Sequence, residues 1–556
     1  MSSSSSPSTA DRRSAAVRRP TGETVPEISA GHQEPGLDRS EIVRRLIGLL
    51  AGPALGLLVF LLMPADIGVW PRLTAGTAIL MAIWWMTEAI PIPATALIPL
   101  IVFPLFVPAG ESDGGVEVND VGASYGNNII FLFMGGFVLA LAMQRWNLHR
   151  RFALAVLRVM GAKTSHLVAG FMIATGFLSM WVSNTATAVM MLPIGVSVLV
   201  LVQRYSPEVG TDAADEAARA LAEGKEIDDE QKRQLAQSNV GTALMLGIAY
   251  AASIGSLGTL IGTPPNALLA GHMNETHGLD IGFFDWMLVG VPLSIVLMAA
   301  CWFLLTKVLF HPEITEIPGG RELLREESAK LGPMSTAEKR VLAVFVLAAL
   351  SWVTVPLLAK YAFDDAEPFV SDAGIAVIVA LLLFLLPAGG TAGAGVRLID
   401  WETAKDLPWG VLLLFGGGLA LSGQFGDSGL SAWLGQQVTG LGGVPVWLLI
   451  GVVALGILAL TEMTSNTATA ATFLPVASGV AMGTGHEPLL LAAPLALAAT
   501  CAFMLPVATP PNAIAFGSGY VSIGQMVKGG VLVNLVAVVL ITLTSLTLLT
   551  WVFGLS

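Results

Sequence analysis

Two runs of small polar residues interrupt apolar sequence in this chain: Ser183-Asn184-Thr185-Ala186-Thr187-Ala188 and, 282 residues later, Ser465-Asn466-Thr467-Ala468-Thr469-Ala470. Each is followed by a Leu-Pro pair, Leu192-Pro193 and Leu474-Pro475. An asparagine brings an amide donor and a carbonyl acceptor to one place, and both need partners where water is absent. Its carbonyl, with Ser and Thr hydroxyls and freed backbone carbonyls, forms the oxygen set that a hard cation such as sodium wants. Its amide, with hydroxyls and exposed helix N-terminal N–H groups, suits a carboxylate or sulfate. A lone Ser or Thr in an apolar helix is ordinarily glue between helices, contributing about 1 to 2 kcal/mol or less. Two matched copies containing Asn are poorly explained that way.

A second pair makes the same case from the backbone. Gly262-Thr263-Pro264-Pro265-Asn266-Ala267 and Ala508-Thr509-Pro510-Pro511-Asn512-Ala513 stand 246 residues apart. Proline donates no backbone hydrogen bond and disfavours helix in the residue before it, so Thr263 and Thr509 should sit at helix breaks. Carbonyls near Gly262 and Ala508 are then free to face an ion. One tandem-proline copy alone would fit a plain interhelical loop; a copy behind each Ser-Asn-Thr run does not. A third pair, Phe131-Leu132-Phe133-Met134-Gly135-Gly136 and Leu412-Leu413-Leu414-Phe415-Gly416-Gly417, recurs at 281 residues. Its glycines suit either close packing or the arms of re-entrant hairpins. The polar runs that precede it, Tyr125-Gly126-Asn127-Asn128 and Asp406-Leu407-Pro408-Trp409, favour hairpins. Three motifs thus recur in order, and the offset shortens at the last because an acidic segment, Pro207 to Arg233, is inserted only in the first half. Such half-chain repetition with Gly and Pro breaks marks many secondary transporters.

The elements that must hold these motifs are membrane helices. The 556 residues are 54% hydrophobic and only 12% charged, with a mean hydropathy of +0.73, whereas soluble domains carry roughly 25% charged residues. Uncharged runs able to cross a hydrocarbon core of ~30 Å recur along the chain, from Leu46–Met63 to Val531–Phe553, without the period-two alternation of a barrel. The polar motifs fall between candidate part-spans: His166–Trp181 and Ala186–Val202 in the first half, Val444–Leu460 and Thr467–Ala481 in the second. The first forty residues, rich in Ser, Pro, Gly and Arg, read as a disordered tail. Arg12, Arg13, Arg18, Arg19, Arg39, Arg44 and Arg45 put its end in the cytoplasm, and the late start of the first apolar run disfavours a signal peptide. Pro312 to Arg340 borders the two halves, with Ser335 and Glu338 spaced as a capping box. Pro91 and Pro93 end the second span, leaving Glu88 as an interface residue rather than a proton site.

Other chemistries find little support. Cys301 and Cys501 make no disulfide scaffold, and His166, His272 and His311 lack metal spacing. His149, beside Arg150 and Arg151, reads as part of a solvated basic turn. No phosphate-cradling Gly-Lys-Ser loop appears, which disfavours an ATPase, and a net charge of -12 disfavours nucleic-acid binding. The chain is expected not to be an enzyme.

The Ser-Asn-Thr pair, Gly262 to Asn266, and the late run Cys501 to Gly519 closely resemble the divalent anion/sodium symporter family, which contains sodium-dependent dicarboxylate and sulfate carriers. The resemblance covers about Ile42 to Phe553. It implies an all-α polytopic protein of about eleven transmembrane spans, in two inverted repeats with broken helices and re-entrant hairpins, assembled as a homodimer in the cell membrane. A tail (1–41), a first repeat (42–320) and a second repeat (321–556) follow. The implied activity is symport of sodium with a C4-dicarboxylate (succinate, malate or fumarate) by an elevator-like motion; the alternatives are sulfate or another oxyanion, or dicarboxylate exchange. By the family pattern one sodium would lie near Ser179, Ser183, Asn184 and the backbone of Gly262. A second would lie near Thr461, Ser465, Asn466 and the backbone of Ala508. The substrate carboxylate would meet Asn184, Thr185, Asn466, Thr467 and Pro510. Glu462 and the Lys405-Asp406 pair receive no role.

Overall fold

The computed structural model describes residues 39–107, 115–161, 163–203, 238–312, 314, 320–362, 368–390 and 392–555. The expected tail up to residue 38 and the acidic connector from Pro207 to Arg233 lie outside the described residues. Among the described residues every regular element is helical, the one extended pairing being an isolated bridge between Pro387 and Arg397. Seven helices are long and apolar enough to cross a membrane, among them Arg39–Leu62, Phe283–Leu309, Thr336–Ala359 and Ile523–Phe553. Shorter apolar helices fill the space between them.

The apolar runs read from sequence all fall on helices, with shifted ends. The last helix starts at Ile523 rather than Val531, because Ser522 and Gln525 cap its first turn reciprocally. The expected capping box at the border between halves is present too: Ser335 N–H donates to Glu338 at 2.6 Å and Glu338 N–H to Ser335 Oγ at 3.2 Å. Glu88 ends the Val69–Thr87 helix in a left-handed conformation, 3.4 Å from Arg44. The segment read as a solvated turn is instead an amphipathic helix, Leu148–Met160. His149 is buried in it, with Nδ1 3.2 Å from the Met143 carbonyl, because the apolar face carrying Leu154 and Leu157 turns His149 inward with it.

The glycine pairs correct a second expectation. Asn128–Arg145 and Trp409–Asp427 are continuous helices, not hairpin arms. Their glycines make close crossings: a Cβ on Gly135 would lie 2.5 Å from the Ala376 carbonyl, and one on Gly417 2.1 Å from that of Ala96. Small residues let backbones touch where no hydrophobic force separates helix from lipid. The hairpins are formed by the helices flanking the two Ser-Asn-Thr runs, Thr164–Ser179 with Asn184–Gln203 and Val446–Thr461 with Asn466–Gly483.

Each hairpin packs on a helix that is broken at a Thr-Pro-Pro-Asn run. In the first half this is Asn239–Ser256 followed by Pro264–His277; in the second, Leu489–Thr500 followed by Pro510–Gly517. Gly255 and Gly176 bring the first pair into backbone contact, a Cβ on Gly255 falling 2.1 Å from the Gly176 carbonyl. The two units also interlock: Pro510–Gly517 packs on Asn184–Gln203, and Pro264–His277 on Asn466–Gly483.

Candidate ion and anion site

Four helices of the interlocked units start at the motifs, at Asn184, Pro264, Asn466 and Pro510. The two breaks touch directly, Thr263 Oγ1 lying 3.2 Å from Thr500 Oγ1. Proline dictates where the second segments begin: Thr263 and Thr509 are extended and serve as N-caps, with the prolines in the first turn, where a missing N–H costs nothing. Helix starts carry unpaired N–H groups and a partial positive charge, which favours anions. Ser465 makes no side-chain cap for the Asn466 helix, so its first amides remain available.

Beside these helix starts lie two matched oxygen clusters. In the first half Ser179 Oγ is 3.0 Å from Asn184 Oδ1 and 2.6 Å from the Ala252 carbonyl. In the second, Thr461 Oγ1 is 2.7 Å from Asn466 Oδ1 and 2.8 Å from the Ala499 carbonyl. A hydroxyl has one proton, so it can satisfy only one of its two neighbours at a time. Each cluster therefore combines a hydroxyl, an amide carbonyl and a backbone carbonyl, uncharged oxygens of the kind that hard cations accept. Ser179, Thr461, Gly262 and Ala508 are buried, while Ser183, Asn184, Ser465, Asn466 and Thr467 are half-buried and Thr185 and Pro510 are exposed. Ser183 Oγ accepts from the Ala186 N–H at 3.3 Å. Every residue named from sequence thus stands on a hairpin tip or at a helix break of the interlocked pair of units.

The breaks are held open by their asparagines. Asn266 Nδ2 donates to the Thr259 carbonyl at 2.9 Å and lies 3.3 Å from that of Leu257; Asn512 Nδ2 donates to Ala502 at 3.0 Å and Leu505 at 3.1 Å. Gly262 permits the first break to fold back: a Cβ there would lie 2.3 Å from the Ser256 carbonyl.

Three features went unread in the sequence. Glu462, at the second hairpin tip, is 4% exposed and accepts from the N–H groups of Phe503 (2.8 Å), Met504 (2.9 Å) and Leu505 (3.0 Å) and from Asn534 Nδ2 (2.7 Å). Its counterpart by the 282-residue offset is Met180, whose backbone carbonyl accepts from the Thr259 hydroxyl. A carboxylate between Thr461 and a second Ser-Asn-Thr run was visible, but the amides it meets lie some forty residues on. His272, fully buried, contacts Ser478 Oγ through Nε2 at 2.6 Å and Ser422 Oγ through Nδ1. It is a hydroxyl-bound link between helices. The tips also differ: Trp181 is 7% exposed, with Phe345 at 5.0 Å and Phe283 and Trp352 stacked beyond, whereas its counterpart Met463 is 77% exposed.

Two hairpins, each laid on a broken helix and interlocked around uncharged oxygens and helix starts, define a multi-pass membrane protein of the secondary-transporter class. The chain belongs to the sodium:sulfate symporter family, whose transmembrane-region model matches residues 44–555. It is similar to a sodium-dependent dicarboxylate transporter, SdcS, of Staphylococcus saprophyticus subsp. saprophyticus: 43% identical over 523 residues, covering 93% of this chain and 94% of that protein. The protein of the same name from Staphylococcus aureus (strain MRSA252) is 44% identical over 511 residues, covering 92% of each chain. Among solved structures, the Alcanivorax borkumensis YdaH transporter aligns with 86% of this chain and 98% of its own at 14% identity and a TM-score of 0.48.

Proposed function

We propose that this protein is a sodium-coupled symporter of C4-dicarboxylates such as succinate, malate or fumarate. The observation that carries the reading is the pair of matched oxygen clusters, Ser179 with Asn184 and Ala252 and Thr461 with Asn466 and Ala499, beside four helix starts. One sodium is assigned to Ser179, Ser183, Asn184 and the Gly262 backbone, a second to Thr461, Ser465, Asn466 and the Ala508 backbone. Asn184, Thr185, Asn466, Thr467 and Pro510 receive the substrate carboxylates. None of these residues is cationic, so bound sodium supplies the positive charge that a dianion needs before it can leave water. Relatives bearing the name sodium-dependent dicarboxylate transporter, aligned over 93% of this chain in one case, support the cargo.

Counting each broken helix as one pass and each hairpin as none gives eleven passes, divided into repeats 42–320 and 321–556. Five passes separate the starts of the two hairpins, an odd number, so the hairpins enter from opposite sides. With the N-terminus in the cytoplasm of a cell-membrane protein, the outer connections have only Arg72 and Lys360 near them, while Arg145, Arg150, Arg151, Arg158, Arg321, Arg325, Arg340 and Arg397 fall inside. Hairpins and broken helices form the moving part of an elevator and the remaining helices its scaffold, in a homodimer.

The test is uptake of labelled succinate into proteoliposomes with and without an inward sodium gradient; equal uptake sinks the coupling. Sulfate is the second reading, favoured by the description of the family itself. Labelled sulfate uptake that unlabelled succinate fails to reduce would establish it. Uptake that requires internal dicarboxylate and ignores sodium would mark an exchanger.

A further inference from the structure

We propose that Glu462 is the positioning residue of the second-half cation site, an inference that rests on the sodium-coupled reading above. The residue follows Thr461, whose hydroxyl belongs to the oxygen cluster, and its carboxylate reaches the turn that leads to Ala508. Three successive backbone N–H groups, those of Phe503, Met504 and Leu505, point at its two oxygens from 2.8 to 3.0 Å, and Asn534 Nδ2 adds a fourth donor at 2.7 Å. The helix break creates these orphan amides: Leu489–Thr500 ends before them and Pro510–Gly517 begins after them. Buried N–H groups need acceptors, and one carboxylate with two oxygens can serve them all. Charge-assisted bonds of this kind are stronger than neutral ones.

The first half shows what the clasp replaces. There the tip is tied to its break by one neutral contact, the Thr259 hydroxyl on the Met180 carbonyl, and the break is wholly buried. In the second half Met504, Leu505 and Pro506 are half-buried and Val507 is 79% exposed. The less covered break is the one held by the carboxyl clasp. By fixing residues 503–505 to the hairpin tip, Glu462 sets the distance between Thr461 and Asn466 on one side and the Ala508 backbone on the other. It acts on the ion through these groups.

The test uses the full chain in detergent and reads its thermal unfolding midpoint against sodium chloride, with choline chloride holding ionic strength constant. Glu462→Gln preserves shape but turns a donor toward N–H donors, and should raise the half-saturating sodium concentration by about ten-fold or more. Glu462→Asp, shorter but charged, should fall between Gln and wild type. A wild-type curve for the Gln variant, or a Gln variant closer to wild type than the Asp variant, overturns the proposal. If the Gln variant does not fold, Asn534→Ala removes one of the four donors and should move the curve the same way by a smaller factor; an unmoved curve again overturns it. A wild-type protein whose midpoint ignores sodium refutes the sodium-coupled reading instead. The clasp is then judged by amide hydrogen exchange at residues 503–505, where equal exchange in wild type and variant refutes it.

Discussion

Truncating Trp181 should move this protein between its two access states. Its indole packs edge-on to Phe345 at 5.0 Å and is stacked with Trp352 at 6.3 Å and Phe283 at 6.1 Å, and Trp352 is itself fixed by a 3.1 Å bond to the Asp372 carbonyl. Phe345 and Trp352 belong to the Thr336–Ala362 helix, in the other half of the chain, so the first hairpin tip is seated on a helix that the proposed function places in the scaffold. The elevator stroke proposed above would have to vacate that seat. Replacing a buried Trp by Ala costs roughly 3 to 5 kcal/mol in a packed site. If about half of that is lost only from the seated state, the balance shifts by roughly 13- to 70-fold toward the unseated one. The exposed counterpart Met463 provides the readout, because pseudosymmetry gives it the covered position when Trp181 gives up its own. Cys301 and Cys501 are fully buried, so Met463→Cys supplies the reporter thiol. Adding Trp181→Ala should slow its modification by a membrane-impermeant maleimide more than about ten-fold. An unchanged rate in a variant present at wild-type level in the membrane refutes the reasoning.

Asn184→Ala and Asn466→Ala should each abolish sodium-driven succinate uptake while leaving membrane insertion intact, since each removes one amide from a hairpin tip and spares the apolar helices; wild-type uptake by both would reject their assignment. Gly262→Ala must push against the Ser256 backbone, where its Cβ would sit 2.3 Å from the carbonyl, and should raise the sodium concentration needed for half-maximal uptake; an unmoved sodium curve would show that this break does not face the ion. On the loop before Trp401, the Thr403 N–H and hydroxyl, and then Arg145 at 2.6 Å, hold the Asp400 carboxyl down at about 2. A depressed acid contributes stability that is complete above its ordinary value of about 3.9 and lost as pH falls through its folded value. Asp400→Asn should therefore lower the unfolding temperature at pH 6 and converge with wild type toward pH 2; a gap independent of pH would refute the tie.

What the sequence made legible was what is carried by type and period. Helices followed from uncharged apolar runs, and breaks from the two tandem prolines, whose chemistry is local. The Ser-Asn-Thr runs could be located because polar amides are rare in lipid-buried segments. What escaped depended on partners distant in the chain. Gly135 and Gly417 read equally as hairpin or as crossing until Ala376 and Ala96 were seen against them. His149 looked solvated beside two arginines, since nothing local tells which face of a short helix turns inward. Glu462 was conspicuous as a charge, yet its meaning lies in Phe503, Met504 and Leu505.

In the proposed function, the neutrality of the site is what couples anion to cation. Moving an isolated carboxylate out of water costs several kcal/mol even after the protein relaxes, and a C4-dicarboxylate carries two. A site built on Lys or Arg would supply the countercharge permanently and bind the anion without sodium, allowing leak. Amides, hydroxyls and helix starts favour the carboxylates but leave their charge largely uncompensated, so on this proposal tight binding waits for cations in the clusters around Ser179 and Thr461. The Glu462 carboxyl beside the site respects this logic because its two oxygens are shared among four N–H donors. A cationic side chain in place of Thr185 or Thr467 should accordingly loosen the coupling, giving succinate binding that persists in choline medium, whereas binding that still demanded sodium would show that charge compensation is not what the ions provide.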